Sequence, residues 1–159
     1  MIYNSPPPGY KPKLEVVACF IEHGDEVLFL HRNDDIPQGG TWAIPGGKLH
    51  SGETMEQAIR REVQEEAQIT LKHPQFIETV YIRYPDYDFT YHMFKEAVAV
   101  KPHVVLDKNE SQAYAWYTRE EADALEAKNM LIPDEMPCIE VAYGDDDFGS
   151  SEQASSSGF

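Results

Sequence analysis

Three carboxylates, Glu62, Glu65 and Glu66, share one turn of REVQEEA, residues 61–67. Residues three and four apart on a helix are neighbours, and like charges at that spacing cost about 0.2–0.5 kcal/mol per pair. At about 100° per residue, with Glu62 at 0°, Glu65 falls near 300° and Glu66 near 40°. Ile59, Val63 and Ala67 fall at about 60–140°, so the carboxylate stripe borders the face a core would cover, while Gln57, Arg60 and Gln64 look outward. A merely solvated stripe would be centred opposite the core. Acids at the core's edge ask for a cation, and all-oxygen donors suit a hard one, magnesium or manganese, which keeps sites for water and phosphate oxygens.

The rest of the composition agrees with a cation-bridged substrate. Twenty-eight acids against 13 Lys and Arg give a formal charge of −15 and a pI near 4.6. That field disfavours general nucleic acid binding and docking on an anionic membrane by a basic patch, and a small phosphorylated substrate would need cations to bridge it. A chain of 159 residues reads as one domain. Cys19 and Cys138 have no CxxC spacing and read as buried reduced thiols. The start lacks the apolar run of a signal peptide, and no stretch approaches about 18 apolar residues, so the cytoplasm is the expected location. A homodimer is left open.

The elements that position the acids follow from pattern. EVVACFIE and EVLFLHR read as strands joined at Gly24-Asp25, where a leading glycine suits a type II′ turn. FIETVYIRY and FTYHMFKEAVAV form a second pair turned at PDYD, and QAYAWYT is a shorter strand. Helices are expected over about 54–67, over about 119–127 behind the capping box of Thr118 and Glu121, and over about 134–143. Strands punctuated by helices predict an α/β fold, a mixed sheet covered on both faces. The folded domain is expected over 12–143, with a flexible proline-rich start at 1–11 and an acidic disordered tail at 144–159.

Upstream of the acids lies WAIPGGKLHSGETMEQAI, with backbone-exposing glycines ahead of the helix. Gly47, five residues, Glu53, seven residues, then Arg61-Glu62-Val63-x-Glu65-Glu66-x-x-Ile69 resembles the signature of the MutT/Nudix hydrolase family. Gln68 departs from it, standing where the family has the glycine of a left-handed helix end, which predicts an altered or slightly strained turn. Arg32, at the family's interval before Pro45, and Glu110 ahead of a strand holding Trp116 extend the likeness over about 14–140.

The resemblance implies a Nudix fold, an α/β/α sandwich. It also implies metal-dependent hydrolysis of a phosphoanhydride in a nucleoside diphosphate linked to another group. Carried over by position, the Gly46 carbonyl, Glu62 and Glu66 are the main ligands of Mg2+ or Mn2+, and Glu65 and Glu110 are further ligands or the base. Arg61 orients a glutamate, with Glu53 as its partner, and Glu53 also reads as a helix-start acid. Arg32 and Asp134 fall at substrate-binding positions, although Arg32 also reads as a strand-end arginine and Asp134 as an N-cap. Retention of Arg61, Glu62, Glu65 and Glu66 favours attack at phosphorus over attack at a sugar carbon.

A MutT-like nucleoside triphosphate pyrophosphohydrolase is the leading expectation. ADP-ribose, diadenosine polyphosphate and nucleotide-sugar hydrolases, or a non-catalytic nucleotide sensor, are the alternatives. Tyr84, Pro85 and Tyr87 point to two of these at once. Tyr81, Phe89, Tyr91 and Phe94 read as sheet packing or as base-stacking rings.

Overall fold

Residue types along β2 (Pro12–His23) and β3 (Glu26–Arg32) dictate the layering. Val17, Cys19 and Ile21 face one way with Leu28 and Leu30, whereas Ala18 and Phe20 face the other way with Val27 and Phe29. Strands apolar on both sides must be covered on both sides. The computed structural model, which describes residues 1–150, does so. α1 (Met55–Ala67) packs Ala58, Ile59 and Val63 on the first face. α2 (Arg119–Ala127) and α3 (Glu135–Tyr143) pack Ala122, Cys138 and Ile139 on the second, which makes an α/β/α sandwich. Cys19 and Cys138 are buried and unpaired. Among the described residues no helix is long and apolar enough to cross a membrane.

β2 and β3 pair antiparallel at Glu22–Val27 and His23–Glu26. Their loop is Gly24-Asp25, with φ of 59° at Gly24 and not positive at Asp25, as a type II′ turn requires. Past that corner the strands part. β2 takes β5 (Gly46–Lys48) on one edge and, in parallel, β7 (Asp88–Ala97) on the other. β3 takes β4 (Trp42–Ala43) and β8 (Ser111–Thr118). β6 (Gln75–Arg83) lies antiparallel to β7, and the sheet is mixed.

Local signals fix the helix ends. Thr54 caps α1 in a reciprocal box with Gln57, and Thr118 caps α2 with Glu121. At the far end of α1, Gln68 takes the left-handed conformation (φ 54°, ψ 38°) and donates its N–H to the Gln64 carbonyl. The turn is therefore kept, not altered, and a side chain in that conformation costs about 1–2 kcal/mol.

Both ends of the described residues, 1–11 and 144–150, make tertiary contacts. Ile2–Tyr3 forms β1 on the edge of β6. Arg83 donates to the Pro8 carbonyl at 3.1 Å, the Lys11 N–H donates to Asp88 at 2.9 Å, and the Tyr10 and Thr90 hydroxyls lie 2.7 Å apart. Pro6, Pro7 and Pro8 stand outside β1, where a proline-rich stretch is tolerated. At the other end Phe148 is 1% exposed and packs against Phe29 and Tyr143. Arg119 donates to the Asp146 carbonyl at 2.9 Å, and the Gly149 N–H donates to Glu22 at 3.1 Å. One aromatic among acids, Phe148, packs this stretch of the described residues against the sheet. Its continuation, 151–159, lies outside the described residues. Phe148→Ala is expected to cost about 3–5 kcal/mol in denaturant unfolding, as for other buried aromatics.

Candidate active site

The two glycines before α1 are a matter of space. A Cβ on Gly47 would stand 2.3 Å from a Glu62 carboxylate oxygen, and one on Gly46 would stand 2.3 Å from the Val17 carbonyl. β5 is thus pressed between β2 and the acidic edge of α1.

Arg61 lies only just outside the carboxylate arc, and its long side chain reaches back into it. Its guanidinium donates to Glu53 (2.7 and 3.0 Å), Glu62 (2.8 Å), Glu65 (3.2 Å) and the Lys48 carbonyl (2.9 Å). Glu53 stands just before the capping Thr54 and also accepts the His50 N–H. Its hydrogen bonds from Arg61 pull its pKa down to about 2. Glu62 is 8% exposed, and burial raises its pKa against the pull of Arg61. Glu66 accepts the Gly46 N–H at 3.3 Å. Burial first, then the charge of Glu62, push it to about 8, with Glu110 adding to the rise and Arg32 opposing it.

Glu110 comes to this place by backbone tethers. The Asp107 N–H donates to the Glu66 carbonyl, the Glu110 N–H to the Asp107 carbonyl, and the Asn33 N–H to the Glu110 carbonyl. Arg32 turns its guanidinium onto the Pro37 carbonyl at 2.8 and 3.0 Å. Among the described residues no three His, Cys, Asp or Glu side chains converge tightly enough to hold an ion as they stand. Arg61 draws Glu62 and Glu65 one way while Glu66 faces Gly46.

From Gly46, Gly47 and Arg32 a cleft of about 290 Å³ runs to Tyr84, Tyr87 and Phe89. A larger groove of about 970 Å³ beside Arg60, Lys72 and His73 contains none of the predicted site residues. Of the candidate rings, Phe89 and Tyr91 line the cleft, whereas Tyr81 packs edge-on to Tyr10 and Phe94 to Phe76. Trp116 packs beside His23 and Lys101, outside the cleft. Asp134 lines the cleft in a left-handed conformation (φ 68°) and makes no side-chain capping bond, so it is not a functional N-cap. Glu135, unmarked by any sequence signal beyond a helix start, is buried in the cleft wall.

Residues 12–136 match the NUDIX domain. The chain belongs to the Nudix family. Over 85 residues (53% of the chain and 76% of the relative) this Nudix protein is 38% identical to the 8-oxo-dGTP diphosphatase of Proteus vulgaris. Over 128 residues (80% and 90%) it is 28% identical to the CTP pyrophosphohydrolase of Escherichia coli. Its fold matches a NUDIX hydrolase from Nitrosomonas europaea with a TM-score of 0.67 at 28% identity, over 82% of this chain and 88% of that one. The donor set suits the divalent ion such a fold implies: the donors are all oxygen, and Glu66 is a half-buried acid without a cationic hydrogen-bond donor.

Gly47→Ala is expected to keep the fold, checked by circular dichroism, and to lower turnover by about 100-fold by displacing Glu62. A second prediction concerns pH. Glu66 and Glu135 have folded values near 8 and 7 against 4.5 unfolded, so the fold holds protons that the unfolded chain releases. Stability in EDTA is then highest near pH 4.5 and is lost as pH rises toward 8; Glu53, pulled to about 2, acts oppositely and only below 4.5. Thermal melts should show this fall, and Glu66→Gln should flatten its upper part.

Proposed function

We propose that this Nudix hydrolase is a nucleoside triphosphate pyrophosphohydrolase, using water to cut the phosphoanhydride between a nucleoside monophosphate and pyrophosphate. The observation that carries this reading is the cleft, with Arg32 and the backbone of Gly46 and Gly47 at one end and Tyr84, Tyr87 and Phe89 at the other, and with the Glu62 carboxylate directly behind Gly47. Such a site suits phosphates at the first end and a flat base at the second. Similarity to an 8-oxo-dGTP diphosphatase and a CTP pyrophosphohydrolase supports a triphosphate over the other substrate classes.

In this reading the Gly46 carbonyl, Glu62 and Glu66 hold Mg2+ or Mn2+, with Glu65 or Glu110 completing the set. The ion, when bound, neutralises phosphate charge and lowers the pKa of water. Whichever of Glu65 and Glu110 is not a ligand accepts the proton of the attacking water at its carboxylate. Arg61 orients Glu62 and Glu65, and is itself held bidentately by Glu53. Arg32 swings from the Pro37 carbonyl to the phosphates, and Asp134 meets the base. The cytoplasm, a reducing compartment, suits the two buried free thiols.

The test is phosphate release from canonical and oxidised triphosphates, with and without coupled pyrophosphatase, and from ADP-ribose, diadenosine polyphosphates and nucleotide sugars with coupled alkaline phosphatase, each with magnesium, manganese or EDTA. Metal-dependent release from triphosphates only in the presence of pyrophosphatase is the expected result. Binding without turnover across the panel would favour a sensor. Glu62→Gln should leave the melting curve intact and lower turnover by a factor on the order of 10²–10³; unchanged turnover at saturating magnesium would remove Glu62 from the ligand set.

A further inference from the structure

Glu135 is the acid of the cleft that the reading above leaves unused. It opens α3, is 3% exposed, and gathers two donors from separate elements. The Ile44 N–H reaches it at 2.9 Å, and the hydroxyl of Tyr91, on β7, donates to it as well. An acid is an expensive way to bridge them, since burial pushes its pKa up to about 7.

What Ile44 leads into accounts for the expense. The next two residues are each tied from the opposite side: the Pro45 carbonyl accepts the Cys19 N–H at 3.0 Å, and the Gly46 N–H donates to Glu66 at 3.3 Å. Gly46 cannot shift toward β2, because even a Cβ would meet the Val17 carbonyl. Glu135 is thus the tie on the α3 side for a three-residue stretch whose other ties come from β2 and α1. Pro45 C=O and Gly46 N–H share one peptide plane, so these ties fix the plane that precedes the Gly46 carbonyl. The pairing of Gly46 and Gly47 with β2 restrains the backbone rotation left to it.

We infer that Glu135 is a positioning residue: through the Ile44 N–H it aims the Gly46 carbonyl toward the acids of α1, without itself touching the nucleotide. This rests on the assignment of that carbonyl as a metal ligand. Groups that hold a ligand from behind typically contribute 10–100-fold to metal affinity.

The test is Mn2+ binding to the substrate-free protein, by electron paramagnetic resonance titration, together with kcat and KM on one purine and one pyrimidine triphosphate. Glu135→Leu should weaken Mn2+ binding at least about tenfold and lower kcat/KM equally for both bases, because a buried Ile44 N–H loses its acceptor. Glu135→Gln, which can still accept from Ile44, should stay within about threefold of the parent. Undiminished Mn2+ affinity in the leucine variant, a glutamine variant as impaired as the leucine one, or a KM change that depends on the base would each overturn the inference. Should near-ultraviolet circular dichroism show Glu135→Leu unfolded, Tyr91→Phe takes its place: it should weaken Mn2+ binding about two- to fivefold, and unchanged affinity would overturn the inference. A parent protein that binds no Mn2+ would overturn the metal assignment itself, and the inference with it.

Discussion

The structure is organised around the electrostatic cost of acids at the edge of a core. Glu62 and Glu66 sit where burial disfavours their charge, and the charge of Glu62 raises the pKa of Glu66 further. Arg61 relieves part of this by spreading one cation over Glu53, Glu62 and Glu65. Glu66 receives only a backbone N–H. The helix therefore keeps a local excess of negative charge against the Gly46-Gly47 backbone, and a divalent ion with its phosphates is the natural complement.

That arrangement needs the sheet to open. β2 and β3 are paired only at their corner, and the space left as they part receives β5 on the free edge of β2. β5 has no room for side chains at its first two positions, so backbone alone separates the acids of α1 from the aromatic cleft on the other face. Two faces of one sheet are joined into one site at its thinnest point.

Much of this was legible in order along the chain. The strands of residues 15–32, the capping boxes at Thr54 and Thr118 and the stripe of Glu62, Glu65 and Glu66 depend on contacts within about four residues, and they stand where pattern puts them. The family signature likewise sits on one continuous segment. Burial of Phe148 and edge pairing by Ile2–Tyr3 are less legible, because composition reports average solubility whereas each of these is decided by one or two residues.

The sequence by itself determined the acidic helix, its caps, the double glycine and the net negative charge, since each follows from local spacing or composition. Only the tertiary structure decided that Arg61 grips four partners, that Asp134 faces the cleft instead of capping α3, and that Glu135 ties Ile44 from 91 residues away. These depend on how three layers pack, and a hydrogen bond between distant residues leaves no periodic trace in either segment that makes it.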